Sequence, residues 1–511
     1  MGPRLRRLPP KPALVLTLDQ VTLATGLAQH LERPLARGHA PAGAHTGAAG
    51  GAACGDLIRV SLALDPDTDD GRILDAGFDA SGCGATIAAG SAVVALLLRD
   101  TPLLQAALIG PETIAEELGG LTTAKRHAAE LAADALHRAL GSALRQTNLA
   151  PAAGRTLVAM SGGVDSAVAA LLTAGVGDET VAVTLELWSD PANDGDLSCC
   201  SAQAVRSARS LAHELGVAHF SIDLRAEFRA GVVQPWLTDH AAGLTPNPCV
   251  RCNGSVRLDA MLELATRLGS RTLATGHYAR IARDEPELGP LLRMALDPAK
   301  DQSYALSALS PASLQRMRFP LGELTKPEVR ALAQQAGLPV ARRRDSQDLC
   351  FLAGTRRTDF LARHGSLGTH AGPILDRDGR LLGEHAGIHT VTIGQRRGLG
   401  SGPGLDRAGE PLYVLRTDHA ANTVTVGSRD ELLTTIVCVR DTTLQRDGAR
   451  VDAIKVRYRG PRLRARLATP MQAGEHSTIA VTLLEPAERT APGQVACLYD
   501  GDLIIGQGTI A

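Results

Sequence analysis

Ala159-Met160-Ser161-Gly162-Gly163-Val164-Asp165-Ser166 is the stretch on which the fold of this chain turns. It follows a short apolar run, Thr156, Leu157 and Val158, and precedes an alanine-rich segment, 167–174, of helical character. The local order is therefore strand, tight glycine turn, helix N-terminus. Small residues let backbone N–H groups approach an anion closely, and the helix adds its unsatisfied N–H groups and positive dipole end. The Lys of a Gly-x-x-x-x-Gly-Lys-Ser/Thr loop is missing, so this is not the usual mononucleotide P-loop.

The order Ser-Gly-Gly-x-Asp-Ser resembles the PP-loop of the ATP pyrophosphatases, which adenylate a carbonyl oxygen and release pyrophosphate. That resemblance implies ATP held by Ala159, Met160, Ser161, Gly162, Gly163, Val164, Asp165 and Ser166, with Asp165 acting through Mg²⁺ or the pyrophosphate. Around the loop, strand-like runs at 180–187, 218–224 and 271–275 alternate with helical patterns at 201–215 and 257–268. Alternation of this kind across 155–355 predicts a parallel sheet covered on both faces, with ligand at the carboxyl ends of its strands. Leu185 is expected near the adenine, and Gly276, ending a further strand, is expected to face the nucleotide.

A chain of 511 residues should hold about three or four domains. Its 53 basic and 54 acidic residues nearly cancel, so a nucleic-acid partner needs local basic patches. Aromatics amount to only 3%, against abundant Ala, Gly, Leu and Arg, which reads as coding bias. No apolar run reaches the roughly 18 residues that cross a bilayer. Residues 1–20 read as a loose tail, and the apolar segment 13–18 is too short for a signal peptide. A cytoplasmic protein with no membrane partner is expected. Nine cysteines then point to reactive or metal-binding thiols rather than structural disulfides.

Residues 21–145 read as a separate α+β unit. It holds Cys54-Gly55-Asp56, an alternating strand at 57–64, a second strand at 73–78, Ser81-Gly82-Cys83-Gly84 and a long helical pattern at 124–144. These features, with Gln29-His30-Leu31-Glu32-Arg33-Pro34, resemble the iron–sulfur scaffold family of the IscU or NifU amino-terminal type. Where that family has a third cysteine, after His127, this chain has Ala128. The resemblance leaves Cys54, Asp56, Cys83 and His127 as a set for zinc, a labile cluster or a persulfide. A degenerate docking domain with inert cysteines is the alternative. A linker is expected at 141–154.

Two stretches turn an ATP site toward sulfur chemistry. In Gly243-Leu244-Thr245-Pro246-Asn247-Pro248-Cys249-Val250-Arg251-Cys252-Asn253, two prolines hold the backbone extended ahead of Cys-x-x-Cys. The other is Asp345-Ser346-Gln347-Asp348-Leu349-Cys350-Phe351. Together with the glycine loop, Lys300-Asp301-Gln302-Ser303-Tyr304 and 392–400, they resemble the tRNA-specific 2-thiouridylase family (MnmA or TrmU type), from Thr156 to the carboxyl terminus. The resemblance implies a catalytic Cys252 and a persulfide-bearing Cys350. It places Asn247, Pro248 and Cys249 at the target base, and His277, Lys300, Asp301, Gln302, Arg457, Tyr458 and Gln494 against tRNA. It further implies as partners the anticodon region of tRNA, a cysteine desulfurase or other sulfur donor, and a reductant. Cys249, where many members have Asp, opens a second route in which Cys249, Cys252 and Cys350 hold a [4Fe–4S] cluster.

The fold class expected is thus multidomain α/β. A scaffold-like α+β domain precedes the PP-loop domain at 155–355, a small linking domain at 356–422 and a tRNA-binding β-barrel at 423–511. In the barrel Arg457, Arg459, Arg462, Arg464 and Arg466 form the local basic patch, and Arg342, Arg343 and Arg344 are expected to grip the tRNA backbone. Cys438 and Cys497 read as core residues, and Cys199-Cys200 as packing. The functional alternatives are an iron–sulfur assembly protein whose second half docks RNA, and a PP-loop enzyme thiolating another tRNA base.

Overall fold

The computed structural model describes residues 26–50, 55–177, 179–190, 201–343, 349–352, 354–368, 370–402, 405 and 411–511. The expected tail 1–20, Cys54, the Cys199-Cys200 pair and Arg344 lie outside the described residues.

The amino-terminal unit is an antiparallel sheet of His45–Gly50, Leu57–Leu64 and Ile73–Ser81, covered by the helices Gly84–Leu97 and Arg126–Leu144. The first strand, His-Thr-Gly-Ala-Ala-Gly, carries no strand signal in the sequence. Its composition has a tertiary cause: a Cβ on Gly47 would strike the backbone at Ala135 O and Ala139 N of the long helix. Small residues are what let that helix lie on the sheet at backbone distance.

Five parallel strands form the central sheet, in the order Met317–Arg318, Thr272–Thr275, Arg155–Ala159, Glu179–Glu186, Ala218–Asp223. The strand that feeds the glycine loop sits in the middle, buried on both faces, as its continuous apolar run requires. The two-residue strand Met317–Arg318 is too short to show a period, and only its pairing with Leu273 and Ala274 reveals it.

Ala218–Asp223 is the open edge of this sheet, and the helix Arg126–Leu144 packs against it. At Gly141 a Cβ would collide with Ser221 O. Arg138 makes a two-pronged ion pair with the buried Glu186, at 3.1 and 3.0 Å, and Asp134 pairs with Arg206 and the buried Arg209 at 2.7 and 2.9 Å. The expected linker 141–154 is a packed connector: its first residues belong to the helix, and Leu149, Ala150 and Ala152 N–H donate to Arg267, Asp69 and Gly269 carbonyls. The amino-terminal unit is therefore seated on the glycine-loop domain.

The later part of the chain makes two sheets. Leu381–His385, Gly372–Leu375, Thr423–Gly427 and Tyr413–Asp418 form the first, so the strand at 423 belongs to the linking domain and not to the barrel. In the second, Leu433–Leu444, Gly474–Glu488, Leu463–Leu467, Ala453–Lys455, Val495–Asp500 and Leu503–Ile510 follow one another, and Leu503–Ile510 pairs back onto Leu433–Leu444. That last pairing closes a six-stranded barrel and removes its edges. A hairpin of the glycine-loop domain, Arg280–Ala282 with Leu291–Arg293, adds to Leu503–Ile510 and fixes the barrel in place. Cys497 is buried as expected, whereas Cys438 is exposed, because its strand turns that residue away from the barrel interior. No helix among the described residues is long and apolar enough to cross a membrane.

His137, His213 and His219 cluster where the helix meets the edge strand, with ring centroids 5.6 and 5.8 Å from His137. Burial holds all three below their ordinary range, His213 down to about 4, with Arg209 adding to the effect. His137 faces carbonyl oxygens at both ring nitrogens, His219 O at 2.8 Å and Ile109 O at 2.9 Å, and its neutral ring donates to one at a time. A base buried neutral favours the folded state above its unfolded pKa and loses that contribution as pH falls. Stability of the docked form should be level above about pH 6.5 and decline toward pH 4. Calorimetry from pH 7.5 to 4.5 checks this, and His213→Gln should flatten the decline.

Candidate active site at the glycine loop and the cysteine cavity

The glycine loop is held by its own hydroxyls and by two neighbouring backbones. Ser166 Oγ accepts from Ser161 N–H at 3.1 Å and donates to Gly163 O at 3.1 Å, which sets the turn ahead of the helix Val164–Ala174. Gly162 has φ 70°, and a Cβ there would stand 2.9 Å from Ala204 O. Gly276, expected near the nucleotide, comes so close to the loop that a Cβ would lie 2.8 Å from the Asp165 carbonyl carbon and Ser166 N.

Asp165 is met by side chains from distant sequence. Lys326 Nζ lies 2.7 and 2.8 Å from its two carboxylate oxygens, and Tyr278 OH donates to Oδ1 at 2.7 Å. Arg343, expected against the tRNA backbone, is exposed, and its guanidinium also donates to Gly162 O at 3.1 Å. Sequence reading missed Lys326 and Tyr278. The one local signal at Lys326 is the capping box Thr325 to Glu328 that opens its helix.

Beside the loop lies a cavity of about 180 Å³. Met160, Ser161 and Leu185 line one side; Pro248, Cys249, Cys252 and Arg257 line another, and Leu349, Cys350 and Phe351 close it. Pro248–Arg251, Cys252–Arg257 and Leu258–Arg267 form one helical rod whose middle turn is π-helical. A wide turn re-aims the residues it contains, and here it begins at Cys252. A second π turn, Arg229–Val233, packs against it through Gly231, where a Cβ would sit 2.6 Å from Val256 Cγ2. Asn247 caps the rod: its Oδ1 accepts from Cys249 N–H at 3.1 Å, and Pro248 takes the first helical position. Cys252 is 8% exposed, Cys350 partly buried and Cys249 exposed. The protein mass around the Cys249 sulfur still raises its pKa, with Arg257 opposing.

The residues expected against tRNA fall into two groups. Arg457 and Tyr458 are exposed on the barrel, and Tyr458, whose phenol burial raises, feels charge on Arg459, Cys249, Asp301 and Lys300. It therefore stands where barrel and cysteine loop meet. Arg464 and Arg466 also face outward, on either side of the buried Ala465. Asp301, by contrast, is buried, accepting from Ala295 N–H at 3.0 Å and Ser303 Oγ at 3.0 Å. Its carboxylate shapes the loop that presents Lys300. Gln302 accepts from Tyr278 N–H, and Gln494 donates to Thr245 O at 2.6 Å, tying the barrel to the Cys-x-x-Cys loop. His277 donates to or accepts from Thr275 Oγ1 at 2.8 Å, and burial holds its pKa down to about 3.

In the amino-terminal unit Asp56, Cys83 and His127 bring one ligand atom each within 4.8 Å of one another. Asp56 is held below the usual carboxylate range by the Thr86 hydroxyl and the Cys83 N–H, against the opposing effect of burial. His127 Nδ1 lies 2.9 Å from Ala124 O, and its Nε2 faces Asp56 Oδ2 at 3.3 Å and Cys83 Sγ at 3.9 Å. Ala128 is fully buried in the helix.

Four family models match successive parts of the chain. A NifU-like N terminal domain matches 25–149 and a tRNA methyl transferase HUP domain 154–354. A tRNA methyl transferase PRC-barrel domain matches 358–428, and an aminomethyltransferase beta-barrel domain 439–510. The chain is 41% identical over 497 residues to the bifunctional protein NifU/MnmA of Rubrobacter xylanophilus, covering 94% of this chain and 97% of that one. The chain belongs to the tRNA-specific 2-thiouridylase family. Relatives without the amino-terminal unit, the tRNA-specific 2-thiouridylases MnmA of Sorangium cellulosum and Methylorubrum extorquens, are 40% and 42% identical over 70% of this chain and 93% of theirs. The family is one of tRNA-uridine 2-sulfurtransferases, and the loop, cavity and barrel lie in its shared part.

Loss of the helix cap in Asn247→Ala should cost about 1 kcal/mol and loosen the turn that carries both cysteines. The expected result is a slightly lower melting temperature with several-fold faster alkylation of Cys252; unchanged alkylation would mean the cap does not hold the thiol in place.

Proposed function

We propose that this protein makes 2-thiouridine at the wobble position of tRNA, using ATP to activate the base and a cysteine-borne sulfur to replace its oxygen. The observation that supports this most is the single cavity lined both by the glycine loop, at Met160 and Ser161, and by Cys249, Cys252 and Cys350. An adenylating site and a sulfur-delivering site share one wall.

The uracil C2 carbonyl is a poor electrophile. Its oxygen attacks the α-phosphorus of ATP as the N3 proton is lost; the bond from that phosphorus to the pyrophosphate breaks, and pyrophosphate leaves with the electron pair. The terminal sulfur of a Cys350 persulfide then adds to C2 and AMP departs. Cys252 thiolate attacks the Cys350 sulfur, freeing the thiolated base and leaving a Cys252–Cys350 disulfide that a dithiol reductant returns to thiols. A cysteine desulfurase, or another persulfide donor, reloads Cys350. Asp165 would serve Mg²⁺ or the pyrophosphate, Leu185 and Gly276 would border the nucleotide, and Asn247 and Pro248 would border the base. Arg457, Tyr458, Lys300, Gln494 and the outward Arg464 and Arg466 would meet the anticodon arm.

The three-cysteine lining also suits a [4Fe–4S] cluster held by Cys249, Cys252 and Cys350, which when bound would offer an open iron to hydrosulfide. In the amino-terminal unit Asp56, Cys83 and His127 form a donor set of the kind zinc takes. Cys83 is exposed there and could carry sulfur in relay, its domain held beside the thiolation domain at high effective concentration.

Cys252→Ser and Cys350→Ser should each lower 2-thiouridine formation more than about 100-fold while leaving tRNA-dependent pyrophosphate release within about threefold. An assembly protein that only docks RNA would release no pyrophosphate at all. Protein purified without oxygen should separate the sulfur routes. About four irons per chain, lost in Cys249→Ala, favour the cluster, whereas an iron-free protein that thiolates from a persulfide donor favours the Cys252–Cys350 pair. About one zinc per chain is expected in the amino-terminal unit, and Asp56→Ala should abolish it.

A further inference from the structure

We propose that Arg257 holds the terminal sulfur of the Cys350 persulfide, pairing with it as an anion and aiming it at C2 of the activated base. This rests on the reading of Cys350 as the carrier of sulfur.

Apart from the three thiols, Arg257 is the one side chain able to carry charge among the described residues that line the cysteine cavity. Its Nε is sealed from solvent without a hydrogen-bond partner, and among the described residues no carboxylate pairs with its guanidinium. Arg209 and Arg446, buried elsewhere in the molecule, meet Asp134 and Glu285 at 2.9 and 3.3 Å. An arginine keeps its charge whatever its surroundings, and a charge taken from water unpaired is costly. The cavity thus contains a cation whose counter-ion the chain does not supply.

Arg257 closes the π turn that opens at Cys252, and the i to i+5 spacing of such a turn brings it back toward the face of that cysteine. Its backbone is fixed on both sides: Leu258 is fully buried, and Val256 lies against Gly231, where a Cβ would stand 2.6 Å from Cγ2. The guanidinium charge is felt at Cys249 and at His277, whose buried ring it helps keep neutral. Arg257 therefore stands on the thiol wall of the cavity, across from Met160 and Ser161 of the glycine loop, with a neighbour that offers no negative charge. The anion that belongs there is a sulfur one. Sulfur attacks as an anion, and a planar, weakly hydrated guanidinium suits a large soft anion better than an ammonium does.

Held in this way, the terminal sulfur gives an electron pair to C2; the bond from C2 to the adenylated oxygen breaks, and AMP leaves with that pair. Cys252 thiolate then attacks Cys350 Sγ, and the pair of the S–S bond goes to the sulfur now on the base. The resulting disulfide is returned to thiols by the dithiol reductant. Once the sulfur is part of the neutral base its charge is gone, so Arg257 no longer holds the product.

Equilibrium loading of Cys350 from glutathione persulfide, read by peptide mass on the full chain, tests this without tRNA. In a Cys252→Ser background, which keeps the loaded sulfur in place, Arg257→Gln should raise the donor concentration that half-loads Cys350 by about 10- to 100-fold, with Arg257→Lys recovering part of the loss. Equal half-loading overturns the proposal. With Cys252 restored, 2-thiouridine formed per pyrophosphate released in a single turnover should fall about 10-fold in Arg257→Gln. A parallel fall in both products overturns it too, since a merely structural role does not separate them. An effect of Arg257 seen only when free sulfide replaces the persulfide donor assigns the anion to hydrosulfide and refutes the Cys350 contact. If Arg257→Gln does not fold, Arg257→Lys decides alone: a several-fold loss of loading is expected, and none refutes the idea. A wild type whose Cys350 loads with this dependence on Arg257 yet thiolates no tRNA would overturn the thiolation reading while leaving the Arg257 contact standing.

Discussion

Two backbones converge on the glycine loop with no space for a side chain between them and it. The loop touches the helix Ala202–Glu214 at Gly162 and the end of the strand Thr272–Thr275 at Gly276, each at a distance a Cβ would violate. That crowding excludes a side chain at Gly162 and at Gly276, and the loop carries no basic residue of its own. The basic side chains that meet the loop come from elsewhere in the chain, Lys326 on Asp165 and Arg343 on Gly162 O.

The same economy of side chains governs how the amino-terminal unit is attached. Gly47 and Gly141 let the helix Arg126–Leu144 lie against a strand on each side, one in its own sheet and one at the edge of the ATP-site sheet. Paired charges and neutral histidines fill what the glycines leave open. An unpaired sheet edge is covered by this arrangement, which is one way a fold protects itself from aberrant strand pairing. A helix with His127 near its first turn and Arg138 on the buried Glu186 joins the thiol site and the nucleotide sheet through a single rigid element.

On the other flank, the barrel is joined to the ATP-site domain by strand pairing and by hydrogen bonds at the cysteine loop. Leu503–Ile510 takes up the hairpin of the ATP-site domain, while Gln494 and Pro492 O hold Thr245. Tyr458 of the barrel thereby feels charge on Cys249 and Lys300 of the neighbouring domain. The cysteine cavity is thus walled by the glycine-loop domain and steadied by its neighbour.

Much of this was legible before any coordinates. Apolar runs and glycine turns announced the parallel sheet and its loop, because strand and helix periods are local properties. The Cys-x-x-Cys and the later cysteine stretch marked themselves by residue type. Illegible were the strand His45–Gly50, whose glycines and alanines answer to a helix some ninety residues on, and the two-residue strand Met317–Arg318. The placing of the strand at 423, the burial of Asp301 and the exposure of Cys438 likewise depended on which sheet each residue joined. By itself, then, the sequence determined the elements, the anion-binding turn and the reactive thiols, since each rests on neighbours a few positions apart. Tertiary structure alone decided which cation serves the loop, which cysteines share a cavity and how the first domain is seated, because those are contacts between residues that only folding makes adjacent.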